Sequence, residues 1–202
     1  MSYLFLDCEM GGLEKEKYSL LTAYLLFVDD DLNPIDDLYL RVKPDDGIYH
    51  VCGEAMNVNK IDLREHDKTA VTYKVAGGLL YNWLKGVSNG GQVKLTPVGH
   101  GVYYDVDWIL YFILNKKTWD NFVSYRKIDT QAIAQFMRAC GLFPDDAGTS
   151  LGALGSYFGI PVKEDELHDA KTDTHLTLGV FKGFRSEVMG EPWPEADFQN
   201  DV

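Results

Sequence analysis

The hydrophobic pattern of the first quarter of the chain predicts three strands in succession. Residues 3–6 form an uninterrupted apolar run, which is typical of a strand buried on both faces. A second apolar run covers residues 18–28, and residues 37–43 alternate polar with apolar positions, as a half-solvated strand does. Short turns, including Asn33-Pro34, join these segments, so the sequence predicts an antiparallel meander.

The remaining pattern alternates helices with shorter strands. Apolar positions at helical spacing predict a helix over residues 69–87, and Gly77-Gly78 inside it indicates close packing, since glycine disfavours a helix. The other predicted elements are a short helix and loop at 53–62, helices at 105–115, 129–139, 149–157 and 168–188, and strands at 93–98 and 121–128. This order predicts a mixed α/β sheet with helices packed on it.

Composition places the chain among ordinary globular proteins of one domain. The 202 residues are 46% hydrophobic and 25% charged, and no apolar run is long enough to cross a bilayer. We expect a domain over residues 1–188 and an irregular acidic tail over 189–202. Three widely spaced cysteines and the lack of a signal peptide pattern predict a cytoplasmic protein without a disulfide framework or membrane partner.

The net charge of −12 argues against tight binding to long duplex nucleic acid, because such binders usually present a basic face. This objection weakens for a protein that holds divalent cations, since those ions bring positive charge of their own. It weakens further for a protein that grips only the last few nucleotides of a strand.

Two carboxylates follow the first apolar run directly. Asp7 and Glu9 are two residues apart, so on a strand both point to one face. Buried carboxylates at that separation repel each other and lose hydration, and Mg²⁺ or Mn²⁺ offsets both effects because these ions prefer carboxylate oxygens. The alternative interpretation is a strand that ends in solvent with two acids at its edge.

Two further acids stand at the starts of predicted helices. Asp105 follows a predicted strand and begins an apolar helix. The alternative to metal binding is that this acid is a helix cap, since the positive N-terminal end of a helix stabilises a carboxylate. Asp173 lies at the margin of the buried stripe of the last helix. His168, five residues earlier, is suited to accept a proton, and its alternative role is that of a capping or solvent-exposed histidine. We expect Asp107 to be a surface acid.

Three short motifs in fixed order resemble those of the DnaQ-like 3′–5′ exonucleases of the DEDDh type. They are Asp7-x-Glu9, then His100 with Asp105, then His168 with Asp173. The resemblance extends over residues 3–184. It implies a ribonuclease H-like fold, with a five-stranded mixed sheet, three antiparallel strands first, flanked by helices. It also implies that Asp7, Glu9, Asp105 and Asp173 hold two divalent ions, Mg²⁺ or Mn²⁺, and that His168 is the general base.

The same resemblance implies a set of substrate contacts. Met10 and Leu13 would contact the last nucleotide, with backbone N–H groups near Gly12 available to its 3′-OH. The segment 53–61 is similar to one that meets the terminal base in proofreading exonucleases, which points to Val58 and Asn59. The chain departs from the family at Gly11, where threonine is usual, at Gly101, where asparagine is common, and at Asn59, which replaces a histidine.

The implied function is hydrolysis of single-stranded DNA or RNA from the 3′ end, releasing nucleoside 5′-monophosphates. An enzyme that trims RNA or short oligonucleotides and a DNA-directed enzyme, proofreading or degradative, both agree with the sequence. The alternative from a different class is a catalytically silent nucleic-acid-binding or scaffold protein that retains the fold. Apolar surface helices are compatible with a homodimer and do not require one.

Overall fold

The computed structural model describes residues 2–161 and 167–190. Its strands are β1 Ser2–Met10, β2 Leu20–Val28, β3 Pro34–Lys43, β4 Val71–Thr72, β5 Leu95–Gly99 and β6 Ile128–Asp129. Its helices are α1 Gly53–Asn59, α2 Leu63–Thr69, α3 Tyr73–Val87, α4 Val102–Phe112, α5 Lys116–Trp119, α6 Thr130–Ala139, α7 Leu151–Tyr157 and α8 Ala170–Met189.

Within these residues, six strands form one mixed sheet in the order β4-β3-β2-β1-β5-β6. β1, β2 and β3 are the predicted antiparallel meander, while β5 pairs parallel to β1 and β6 parallel to β5. The central position of β1 explains its apolar sequence, because helices cover it on both faces. The predicted mixed sheet with helices packed on it is therefore confirmed.

The two faces of β1 serve different layers. Leu4, Leu6 and Cys8 pack into the core shared with α3 and α4. Phe5 points to the opposite face, where it packs in a second core with Ala170 and Leu178 of α8. Since side chains alternate along a strand, Asp7 and Glu9 continue the Phe5 face and lie toward α8.

The strand count differs from the five strands expected. β4 adds a sixth strand, because Val71 and Thr72 extend and pair with the end of β3 in a segment predicted to be helical. The strand predicted over 121–128 is reduced to β6 at its end, with a single bridge between Leu95 and Val123 before it. Propensity alone did not separate these short extended pieces from their neighbours.

The helix predicted over 69–87 begins later, at Tyr73, where the Thr72 hydroxyl accepts a hydrogen bond from the Val75 N–H. The close packing predicted around the glycine pair is confirmed at one of the two positions. A Cβ on Gly77 would lie 2.6 Å from the carbonyl oxygen of Ile113, whereas a Cβ on Gly78 would meet nothing within 4 Å. Gly77 thus lets α3 approach the end of α4.

The helix predicted over 105–115 begins at Val102, three residues before Asp105. Gly101 precedes it with φ 81°, a left-handed conformation that favours glycine. The predicted last helix begins at Ala170, so His168 lies on the preceding loop. Residues 191–202, most of the predicted acidic tail, lie outside the described residues. Over the part of the chain described, no helix is both long and apolar enough to cross a membrane.

The contrast between the two glycines gives a stability test. Gly77→Ala should lower the free energy of unfolding by about 1–3 kcal/mol, because the added methyl overpacks against the Ile113 carbonyl. Gly78→Ala is the matched control and should raise it by up to about 1 kcal/mol through helix propensity. Urea denaturation measures both values. Equal stabilisation by the two substitutions would contradict the close contact.

Candidate metal centre

Asp7 and Glu9 stand at the end of β1, where the strand emerges from the core. Their backbone pairs with Tyr24 and Thr22 of β2, and the register shifts between Glu9 and Met10. Glu9 is buried, with 9% of its surface exposed, and Asp7 is half-buried. Both carboxylates therefore lie on one face of the sheet, as predicted. The alternative interpretation, a strand that ends in open solvent, is wrong for Glu9.

Asp173 completes a group of three carboxylates. It lies in the first turn of α8 and is 8% exposed. Carboxylate oxygens of Asp7, Glu9 and Asp173 all lie within 4.8 Å of one another. Elements far apart in sequence thus bring the first and third motifs together, and the arrangement can hold a hard cation.

One oxygen of Asp173 has no protein partner. Its Oδ2 accepts a hydrogen bond of 3.3 Å from the backbone N–H of His168, but its buried Oδ1 accepts none. A buried carboxylate oxygen without a donor is unfavourable, so a bound cation would supply the missing interaction. This orphaned atom, together with the three-carboxylate group, shows that the residues present fit a divalent ion.

Asp105 is the fourth predicted acid and is buried in α4, with 5% exposure. It lies outside the group of three defined by the 4.8 Å distance. Its charge is nevertheless the largest electrostatic influence on Asp7, so the second motif does lie beside the first. The thiol of Cys8 also contacts the Asp105 carbonyl oxygen at 4.0 Å, which links β1 to α4.

Burial and mutual repulsion raise the pKa of the four acids predicted to bind metal. Burial, followed by the charge of Asp105, raises the pKa of Asp7 well above its usual value. Burial, followed by the charges of Asp173 and Asp169, raises the pKa of Glu9 to about 9. Burial likewise raises the pKa of Asp105 to about 8 and that of Asp173 to about 6. Bound divalent cations would lower these pKa values again, because they stabilise the ionised carboxylates.

His168 occupies the position that its motif predicts, on the loop immediately before α8. Its side chain is exposed, and its backbone has φ 68°, which is uncommon for a residue other than glycine. The backbone N–H of His168 donates to Asp173 Oδ2, so the loop that carries the imidazole is hydrogen-bonded to the first turn of α8. The conformation therefore couples the position of the histidine to that of a carboxylate.

Three other histidines lie outside the carboxylate group. His100 is half-buried, and its Nδ1 is 3.0 Å from the Thr130 hydroxyl; burial lowers its pKa. His175 lies 3.2 Å from the Tyr24 hydroxyl, and the side chain of His50 is exposed. Asp107 is exposed and forms an ion pair with Lys15, as expected of a surface acid.

The predicted substrate contacts are divided between exposed and enclosed positions. Leu13 is 80% exposed and Val58 48% exposed, so both are available to a ligand. Met10 is half-buried and Gly12 buried. Asn59 is also buried: its amide donates to the Met10 carbonyl at 3.1 Å, and its oxygen accepts from the Ile61 N–H. This amide therefore ties α1 to the end of β1.

Close backbone packing explains why position 11 is glycine, where DnaQ-like exonucleases usually have threonine. A Cβ at this position would lie 2.6 Å from the His50 carbonyl oxygen and 2.8 Å from a methyl group of Val51. The backbone of the 50–52 segment crosses here, and the Cys52 N–H donates to the Gly11 carbonyl at 2.7 Å. Threonine would not fit without movement of that segment.

Sequence reasoning missed Asp169, which precedes α8. Its Oδ1 accepts from the Thr172 N–H as the helix cap, and its Oδ2 accepts from the Tyr39 hydroxyl at 3.0 Å. Its charge raises the pKa of both Asp7 and Glu9. An aspartate directly before a helical pattern is an N-cap signal, and that signal could have identified it.

Comparison with solved structures identifies the fold, whereas comparison by sequence assigns no family. No family model matches the chain, and no curated protein matches it. Solved structures do match, among them Escherichia coli exonuclease I in complex with a dT13 oligonucleotide. That match has a TM-score of 0.71 and 19% identity, and covers 94% of this chain and 42% of that one.

Two more structures agree with it. Exonuclease I from Methylocaldum szegediense matches with a TM-score of 0.68 and 20% identity over 92% of this chain and 40% of that chain. The zinc-bound E. coli exonuclease I–ssDNA complex matches with a TM-score of 0.68 and 19% identity over the same shares. The chain spans about two fifths of the length of these proteins. It has the ribonuclease H-like fold that the resemblance to DnaQ-like exonucleases predicted.

The raised pKa values predict that metal-free protein loses stability as the pH rises. Between about pH 4, where unfolded carboxyls ionise, and about pH 9, the folded chain retains protons that the unfolded chain has released. The free energy of unfolding in EDTA should therefore fall across this window. Added Mg²⁺ or Mn²⁺ should stabilise the protein increasingly over the same window, because ions bind ionised carboxylates.

Chemical denaturation at several pH values, with EDTA or with Mg²⁺, measures this effect. Glu9→Gln is the matched variant, since it removes the carboxyl group whose pKa is raised to about 9 and preserves the shape of the side chain. It should flatten the pH dependence in EDTA and weaken the response to Mg²⁺. A metal-free stability that stays constant from pH 5 to 9 would contradict the assigned carboxylate cluster.

Proposed function

We propose that this chain is a metal-dependent 3′–5′ exonuclease acting on single-stranded DNA. The observation that carries the proposal is the group of three carboxylates from Asp7, Glu9 and Asp173, with an unpartnered oxygen on Asp173. The ribonuclease H-like fold and the position of His168 beside the group support it. DNA is favoured over RNA because a solved structure with the same fold contains dT13.

The chemistry divides among the residues according to where they lie. Asp7, Glu9, Asp105 and Asp173 would hold two divalent ions. When bound, such ions acidify a water molecule and stabilise charge on the phosphate and on the leaving oxygen. His168 would accept the proton from the attacking water, because its imidazole is exposed on the loop joined to Asp173. Asp169 would hold this loop at the start of α8 through its capping bond to Thr172 and its bond to Tyr39.

The end of the strand would lie against the loop that follows β1. Exposed Leu13 offers an apolar surface to the last base, and Met10 borders it. Val58 would approach the same nucleotide from α1, which Asn59 anchors to the Met10 carbonyl. Hydrolysis would then release a nucleoside 5′-monophosphate and leave a shortened strand with a free 3′-OH. A homodimer, the other partner compatible with the sequence, stays a prediction.

Digestion of matched 5′-labelled strands tests the reaction. With Mg²⁺ or Mn²⁺ the wild-type chain should shorten single-stranded DNA from its 3′ end, and Asp7→Asn should abolish the ladder by removing a carboxylate of the cluster. Matched RNA in parallel measures the preference. Faster cleavage of RNA would replace the DNA assignment, while cleavage of neither strand with intact metal binding would favour the silent binding or scaffold protein.

His168→Ala tests the proton acceptor separately. It should lower turnover by about 10²- to 10⁴-fold, the usual contribution of general acid–base catalysis. Metal-induced stabilisation should persist, because the backbone N–H that binds Asp173 remains. His50→Ala, which removes another exposed imidazole, is the control and should retain turnover. Full activity of the His168 variant would remove this residue from the mechanism.

A further inference from the structure

The outer face of α4 carries large aromatic side chains that do not enter the core. Tyr103 is 62% exposed and Tyr104 46% exposed, whereas Asp105 and Val106, the next residues along, are buried. Aromatic side chains clustered at this level of exposure mark an interaction surface more often than isolated ones do. The helix thus presents one face to the carboxylate cluster and core and another, aromatic face to solvent.

The segment before β6 extends this face. Tyr125 is 69% exposed, and the guanidinium of Arg126 lies 5.0 Å from the centre of its ring. The Nζ of Lys127 lies 4.7 Å from the centre of the Tyr103 ring, so the two segments are in contact. We call Tyr103, Tyr104, Tyr125, Arg126 and Lys127 the tyrosine surface. Tyr103, Tyr104 and Lys127 of this surface line a groove of about 360 Å³, together with Asp107 and Leu110.

The tyrosine surface is continuous with the candidate catalytic site. The Tyr104 hydroxyl donates to the backbone carbonyl of Leu13, the exposed residue beside the end of β1. Asp105 lies on the same helix, directly after Tyr104. A strand whose terminal nucleotide rests at Leu13 would therefore meet Tyr104 and then Tyr103 as it leaves the site.

Charge also favours a polyanion here, although the whole chain carries −12. Among the described residues, no carboxylate lies within 4.0 Å of the cationic groups of Arg126 and Lys127 in an ion pair. The acid in the groove, Asp107, is already paired with Lys15. Aromatic rings interleaved with uncompensated cations are the chemistry that binds single-stranded nucleic acid, with bases on rings and phosphates on cations.

We infer that the tyrosine surface binds the single strand of DNA upstream of its 3′ end. The inference rests on the proposed function for the direction of the strand. Bases would stack on Tyr103 and Tyr125, and Arg126 and Lys127 would contact the phosphates between them. The surface holds the substrate between successive cleavages, so its contribution grows with strand length.

Binding of 5′-fluorescein-labelled dT16 and dT4 in EDTA, followed by anisotropy, tests the inference without hydrolysis. The double variant Tyr103→Ala/Lys127→Gln should bind dT16 about 5- to 100-fold more weakly, from the loss of one stacking platform. Its affinity should also depend less on salt, by about one unit of slope, because one phosphate contact is gone. The loss for dT4 should be smaller than that for dT16.

The matched control is Tyr81→Ala/Lys85→Gln, which removes an exposed tyrosine and lysine four residues apart on α3. It should leave the affinity for dT16 unchanged, and thermal denaturation confirms that both double variants fold. Undiminished binding by the surface variant, equal weakening by the control, or no binding of dT16 by the wild-type chain would each overturn the inference.

Digestion of the same strand in Mg²⁺ separates this inference from the proposed function. Surface-dependent binding without hydrolysis would refute the exonuclease and retain the tyrosine surface as a binding site for single strands. Hydrolysis by the wild type with an unchanged KM for dT16 in the surface variant would refute the surface and retain the enzyme. The expected result is a raised KM for dT16 with little change in kcat.

Discussion

The repulsion among buried carboxylates is the constraint on which the rest of this structure depends. Asp7, Glu9 and Asp173 lie within 4.8 Å of one another, and Asp105 and Asp169 add negative charge beside them. Such a cluster opposes folding when it is ionised, because burial removes hydration while like charges approach. Apolar packing next to the cluster keeps the acids in place: Phe5, two residues before Asp7, and Ala170, three residues before Asp173, are both fully buried. The fold thereby maintains an arrangement that the acids alone would not adopt.

The sequence predicted the elements that carry this cluster, because their signals are local and redundant. The apolar run of β1 leads directly into Asp7 and Glu9, and the alternation of a strand fixes both on one face. The helical stripe of α8 similarly fixes Asp173 near its buried margin. The short strands were harder to predict from the sequence. Val71 and Thr72 pair with β3 only because the chain folds back there, and that contact is a tertiary property that no local pattern encodes.

The candidate site shows the same division between local and tertiary information. Motif order and spacing predicted Asp7, Glu9, Asp105, His168 and Asp173 as site residues, and the structure brings three of the predicted metal ligands, Asp7, Glu9 and Asp173, within 4.8 Å of one another. Asp169 carries an N-cap signal, but its effect on Asp7 and Glu9 arises from spatial proximity, which the sequence does not show, and so it was missed as part of the site. Asn59 was assigned to the terminal base by analogy. In the structure its amide attaches α1 to the Met10 carbonyl, a long-range contact with no sequence signature, and its contact with the base stays a prediction.

The acidity of the chain and its proposed polyanionic substrate are compatible once charge is considered by location. Near the cleavage site, positive charge would come from divalent ions, so the carboxylates need no compensating lysines or arginines there. Away from that site, the ions no longer act, because screening limits their influence to about 10 Å. A single nucleic-acid strand longer than a few nucleotides therefore requires cationic side chains of the protein beyond this range. In the proposed complex, Arg126 and Lys127 would supply them beside exposed aromatic rings, and the net charge of −12 would disfavour the longer contacts that a duplex makes. In the proposed function, selectivity for a single strand would follow from these two cations beside exposed rings on an otherwise acidic chain.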